Sequence, residues 1–195
     1  MNSKQIFKLL TTIAILVVIA YTAWILLASG WDLRTIRQTG KTLGVISALT
    51  FCTVIIPGIV RRLKLNSINI INTVSSHIMF ARAQVGLLMF FTALGHYLLT
   101  IVIRIIRTGQ RPEPQLFFVF GFLALFLSLF LALTSNQFSK KLLKTKWKTL
   151  HSLVYIIVWL IFIHTALIEI NPISIIVGIF AVVETYSLVK AKFQS

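Results

Sequence analysis

Apolar residues in this chain come in long unbroken runs, and charge is confined to the intervals between them. The alternation that marks a half-buried strand is missing, and the runs are too continuous for one-faced helices on a soluble core. A run of roughly 18 or more apolar residues is long enough to cross the hydrocarbon interior of a bilayer as a helix. No water there can satisfy exposed peptide groups, so each span is predicted to be helical. Six spans are predicted, at about Ile6 to Ala28, Thr42 to Val60, Ala83 to Ile106, Leu116 to Leu133, Trp147 to Ile168 and Pro172 to Val189.

The punctuation supports these limits. Arg61-Arg62 stops the second span, and Arg82 and Arg107 frame the third. The turn-forming Arg111-Pro112-Glu113-Pro114 precedes the fourth, and Glu169-Ile170-Asn171-Pro172 joins the last two, with a proline suited to opening a helix. The first run is too long for a signal-peptide core, and Ala28-Ser29-Gly30 resembles a cleavage site only weakly, so the run is kept as a helix. The polar stretch from Leu63 to Ser76 reads as a loop with room for an interfacial turn. The expected fold is an all-α membrane protein, a six-transmembrane-helix bundle forming a single domain over residues 1–195, without repeats or long linkers.

Composition agrees. Hydrophobic residues make up 57% of the chain and charged residues 12%, with only four acidic groups, Asp32, Glu113, Glu169 and Glu184. A soluble surface needs about twice that charge. The net charge of +15 raises nucleic acid as a partner. The basic residues are spread between apolar runs instead of forming one groove-sized cluster, so topology and an anionic lipid bilayer account for them and no nucleic acid is expected. Lys and Arg number 13 in the amino terminus, second loop, fourth loop and carboxyl terminus, against 6 in the remaining loops. The positive-inside rule then places both termini in the cytoplasm, and the expected location is the cell's inner membrane. The lone cysteine, Cys52, lies inside an apolar run and reads as a packing residue.

Four histidines remain: His77, His96, His151 and His164. A histidine packed among helices often does no more than hydrogen-bond a neighbour, but ionisable groups inside a membrane are costly and tend to mark a ligand or a proton path. Spans three and five both start on the cytoplasmic side. His96 lies 14 residues past Arg82 and His164 lies 16 past Lys148, which at 1.5 Å per residue is roughly 21 and 24 Å of depth. Two histidines at nearly one depth on different helices suit the two axial positions of a haem iron. The porphyrin would supply the equatorial ligands that the sequence lacks. His151, three residues past Lys148, could serve a second haem, a propionate or a proton. Its spacing of 13 from His164 puts the two about 140° apart on a straight helix, so one shared face is not implied. His77, in polar Ser75-Ser76-His77 before the third span, reads as an ordinary interfacial residue. Arg107 lies 11 residues beyond His96 with Arg104 nearby; either could pair with a propionate or simply sit at the interface. Tyr155, four residues after His151, is placed to contact a cofactor.

Arg82-Ala83-Gln84-Val85-Gly86, followed by His96, resembles the ferric-reductase-like transmembrane family. So does Leu131-Ala132-Leu133-Thr134-Ser135-Asn136-Gln137, followed by Trp147-Lys148-Thr149-Leu150-His151, Val154-Tyr155 and His164. Within it, the pattern is similar to the haem-binding membrane subunit of the bacterial methionine sulfoxide reductase system. The resemblance implies haem b held by spans three and five, with His96 and His164 at the outer ligand positions and His151 at an inner one. Arg82 stands where two-haem relatives carry the inner ligand of span three, so the resemblance implies one bis-histidine haem here. Lys144 stands where the family has a glycine. The flavin and NAD(P)H domains fused to many relatives are expected to be absent. The implied donor is therefore a separate cytoplasmic flavin reductase or a bound flavin such as FMN. The implied acceptor is periplasmic or extracellular, a methionine sulfoxide reductase subunit, ferric iron or oxygen. Competing readings are a proton or ion transporter using histidine relays, weakened by the shortage of intramembrane carboxylates, and a scaffold that keeps the bundle without haem.

Overall fold

The computed structural model describes residues 2–27, 32–109 and 115–194, apart from the side chains of Arg104 and Arg107. The predicted turn at residues 111–114, the 28–30 stretch and the proposed role of Arg107 therefore lie outside the described residues. All regular structure among the described residues is helical. The elements are α1 (Ser3–Leu27), α2 (Leu33–Arg62), α3 (Asn69–Phe80), α4 (Arg82–Tyr97), α5 (Ile103–Thr108), α6 (Leu116–Leu133), α7 (Gln137–Leu143), α8 (Thr145–His151), α9 (Val154–Ile168) and α10 (Pro172–Phe193). A 3-10 turn, Leu65–Ser67, precedes α3, and a π-helical turn, Leu98–Val102, joins α4 to α5.

Six of these units are long and apolar enough to cross a membrane: α1, α2, α4 with its π turn, α6, α8 with α9, and α10. The expected all-α, six-span architecture is the observed one. Large apolar side chains such as Leu16, Val17, Val119, Phe122, Ile179 and Val182 stay exposed, as they must where lipid replaces water as the surrounding solvent. The core joins Phe51 and Ile55 of α2, Met89 of α4, Ala124 of α6, Ile157 and Val158 of α9 and Ala181 of α10. On one side α1 packs Ile25 against Ile36, Leu43, Leu99 and Ile103.

Side-chain bonds sort the helix ends. Ser3 meets His77, Arg62 meets Glu184 and Ser187, and Thr134 meets His151. One end of the bundle therefore gathers the start of α1, the ends of α2, α6 and α10, the end of α3 and the junction of α8 with α9. It is called the terminal end below, and the other the far end.

Three local features differ from the sequence expectation. First, α2 begins at Leu33, not near Thr42. Asp32 caps it, its carboxylate accepting from the Thr35 amide at 2.7 Å and hydroxyl at 2.9 Å. The polar composition of residues 33–41 conceals more than two extra helical turns. Second, a helix runs over residues 69–80, and its part up to Ser76 falls where a loop with at most an interfacial turn was expected. Ser, Thr and Asn lower the local hydropathy, yet Ile78 and Ser75 are buried, and His77 sits inside this helix. Its ring bonds the Thr73 carbonyl at 2.8 Å as well as Ser3. Third, the lysine-rich fourth connection contains α7, capped by Asn136 accepting from the Ser139 amide at 2.7 Å. The fifth span is interrupted at Ser152–Leu153 between α8 and α9, so the straight-helix angle between His151 and His164 does not apply.

Candidate functional site

His96 lies in the last turn of α4 and His164 in the far half of α9. The bundle brings the two rings together in a cleft of about 650 Å³ formed by α2, α4, α6 and α9. Their centroids are 6.3 Å apart and their planes cross at 72°. Each ring is tied back to a neighbouring helix by one nitrogen. His96 Nδ1 bonds the Gly40 carbonyl at 2.8 Å, and His164 Nδ1 bonds the Phe117 carbonyl at 2.7 Å. A carbonyl only accepts, so each Nδ1 carries the proton, and each Nε2 is left with a free lone pair. Neither Nε2 has a hydrogen-bond partner among the described residues, and both rings line the cleft.

Those distances decide what fits between the rings. A metal–imidazole bond is about 2 Å, and the ring centre lies about 1.2 Å behind its nitrogen, so two imidazoles on one metal stand roughly 6.4 Å apart. The observed 6.3 Å matches a single ion held from both sides. Among the described residues no group of three or more His, Cys, Asp or Glu assembles that could complete a metal's coordination. The remaining ligands would have to come from the group itself. The cleft is lined mainly by apolar and small side chains, with Ser47, Met89, Ala124 and Ile161 among them. Its volume is that of an ordinary cofactor site. Arg37 and Lys41 line it at the far end, together with Glu169 and Asn171.

The second cluster is at the terminal end. His151 stacks on Trp147, with centroids 4.0 Å apart and planes at 25°. Its Nε2 meets Thr134 Oγ1 at 3.1 Å, while that hydroxyl donates its one proton to the Phe130 carbonyl at 2.7 Å. His151 must therefore donate from Nε2, the opposite tautomer to the other two histidines. Trp147 Nε1 donates to the Thr134 carbonyl at 2.9 Å, clamping α8 to the end of α6. Arg82 lies at the start of α4, and its charge reaches His151 and Tyr155. Tyr155 carries Arg62 over its ring at 5.5 Å and accepts from that guanidinium at 3.2 Å. Arg62 also donates to Ser187 at 2.9 Å and pairs with Glu184, which is 2% exposed.

Of the residues singled out in the sequence, the fold thus brings His96 and His164 together and groups His151, Tyr155 and Arg82 separately. Several contributors went unnoticed: Gly40 and the Phe117 carbonyl as ring partners, and Arg37 and Lys41 on the cleft rim. Arg37 and Lys41 are spaced i, i+4 around Gly40, a signal readable only once α2 is known to start at Leu33. Gly44 and Gly121 were also missed. A Cβ at Gly44 would come within 2.9 Å of the His96 ring, and one at Gly121 within 2.6 Å of the His164 ring.

The family described as "Ferric reductase like transmembrane component" matches residues 43–163, which include α4, α6, α8, most of α9 and all but the last residue of the span between the paired histidines. The chain belongs to the ferric-reductase-like transmembrane family. It is a multi-pass membrane protein with a domain of the electron-transfer class. No curated protein and no solved structure matches it.

Proposed function

We propose that this protein binds haem b between His96 and His164 and carries electrons across the cell's inner membrane. They pass from a cytoplasmic flavin donor, a separate reductase or bound FMN, to an acceptor on the outer face. The Arg82, His96, His151 and His164 pattern supports the methionine-sulfoxide-reductase type of membrane subunit, and the charge distribution supports cytoplasmic termini. The observation that carries the reading is the histidine pair: two imidazoles 6.3 Å apart, each with Nδ1 engaged and Nε2 free, inside an apolar cleft of cofactor size.

Haem iron held there supplies a centre that gains and loses one electron without bond making in the protein. The chain's own residues do the rest. The two backbone carbonyls hold each imidazole in the tautomer that presents Nε2. The apolar walls would keep bulk water from the iron and so tune its potential. Arg37 and Lys41 would supply positive charge at the rim for the porphyrin's carboxylates.

One haem is the expected load. His151 spends its Nε2 on Thr134, and Arg82 stands where two-haem relatives carry a second imidazole. That suits a donor-side residue more than an axial ligand. Lys140, Lys141, Lys144, Lys146 and Lys148 surround it in sequence and give the terminal end a positive field for an acidic reductase or a flavin phosphate.

The test is spectroscopic. Protein purified in detergent from haem-supplied cells should show a reduced-minus-oxidised b-type spectrum at one haem per chain. His96→Ala and His164→Ala should each abolish or greatly weaken it. A haem-free wild type overturns the proposal; an unchanged spectrum in either variant removes that residue as a ligand.

A further inference from the structure

Behind the two histidines the fold repeats one construction on two unrelated segments. On α2, the Gly40 carbonyl accepts from His96 Nδ1 at 2.8 Å, and the residue four further on is Gly44. On α6, the Phe117 carbonyl accepts from His164 Nδ1 at 2.7 Å, and the residue four further on is Gly121. In an α-helix the carbonyl of residue i already accepts from the amide of residue i+4. The imidazole must therefore approach the second lone pair from the side, over the Cα of that i+4 residue. A side chain there would stand in the way.

The glycine geometry gives the clearance directly. A Cβ on Gly44 would fall 2.9 Å from His96 Nδ1 and 3.1 Å from both Cε1 and Cγ, so it would meet the face of the ring. A Cβ on Gly121 would fall 2.6, 2.7 and 3.2 Å from the same three atoms of His164. Neither ring can yield by swinging a flexible end, because the atoms hit belong to the hydrogen-bonded edge itself. Gly86 behaves differently: a Cβ there meets nothing within 4 Å.

We propose that Gly44 and Gly121 are positioning residues, which with the carbonyls of Gly40 and Phe117 form two brackets that hold the imidazole planes crossed. The proposal rests on the haem reading above and adds what fixes the ligands' orientation. Each bracket clamps its ring at Nδ1 and against the glycine, so the 72° between planes belongs to the helix pairs α2–α4 and α6–α9. Crossed axial imidazoles leave two iron d orbitals nearly equal in energy, whereas parallel ones split them. The oxidised protein should then give a strongly anisotropic low-spin resonance with a large maximum g value, in place of a rhombic signal. Orientation and Nδ1 hydrogen bonding of axial histidines are outer-sphere controls on the metal's electronics.

The experiment is low-temperature electron paramagnetic resonance with redox titration of the haem-loaded protein in detergent. The variants are Gly44→Ala, Gly121→Ala and, as control, Gly86→Ala. The wild type and Gly86→Ala should share the anisotropic signal and one midpoint potential. Each of the other two should lower the maximum g value towards a rhombic signal and shift the midpoint while low-spin haem is retained. A rhombic wild-type signal from bound low-spin haem overturns the proposal, whether or not the alanine variants assemble. So do Gly44→Ala and Gly121→Ala spectra identical to wild type. A wild type that takes up no haem refutes the functional reading instead, and is recognised by its optical spectrum before any resonance is recorded.

Discussion

Replacing Glu184 by glutamine removes one charge from a buried pair while leaving its shape almost intact. Glu184 is 2% exposed and its partner Arg62 10%, and the two join the end of α2 to the end of α10. Removing one partner of such a pair strands the other charge in a poorly solvated site, at a cost of about 3–5 kcal/mol. Arg62 keeps its bonds to Ser187 and Tyr155, and the glutamine can still accept one bond, so the lower part of that range applies, about 3 kcal/mol. Replacing both groups, as Arg62→Met with Glu184→Leu, removes the charges together and should cost less than the single change, about 1 kcal/mol or none. Unfolding in mixed micelles of rising SDS fraction, followed by tryptophan fluorescence, measures both. A Glu184→Gln loss below about 1 kcal/mol would contradict the stranded-charge argument. So would a double variant less stable than the single one.

The backbone at Lys144 has φ +48° and ψ −118°, a region costly to any residue with a Cβ. Lys144→Gly should raise stability in the same assay by about 1 kcal/mol, and a loss would show that the lysine side chain outweighs the strain. At the start of α2, the amide and hydroxyl of Thr35 bond the Asp32 carboxylate and hold its pKa below the ordinary 3.8. A depressed carboxyl stabilises the fold above its unfolded value, and that contribution disappears as pH falls through the lower folded value. Hydrogen-exchange protection factors at residues 33–36, corrected for the intrinsic rate, should therefore fall in that acid range, and Asp32→Asn, which keeps the cap bond, should flatten the dependence. Loss of the b-type spectrum in the histidine variants and the change of resonance shape in the glycine variants complete the set.

The terminal end shows why local motifs were only partly readable. Trp147, His151 and Tyr155 stand out in the sequence, and they do cluster. Their chemistry, however, depends on Thr134 and Arg82, which lie 17 and 69 positions before His151. Thr134 sets the His151 tautomer by having already committed its own proton to the Phe130 carbonyl. Nothing at the position of His151 announces that. Glu184 is similar: it stands in the predicted last span as one of four acidic groups, while its partner Arg62 reads as a stop signal 122 positions earlier.

Span number and helical class followed from sequence because they depend on summed apolar length and on the cost of unsatisfied peptide groups, both properties of contiguous residues. The depth of His96 and His164 was also local, since helical rise converts residue number into distance. Which way each ring turns was not. The orientation of the imidazoles, the free Nε2 atoms and the 6.3 Å between centroids come from carbonyls 56 and 47 positions away. The extension of α2 to Leu33 that delivers Gly40 is masked by polar residues. Apolar length placed the helices in a membrane, and only their packing, with two glycines giving way to two rings, could decide that the histidines face one another.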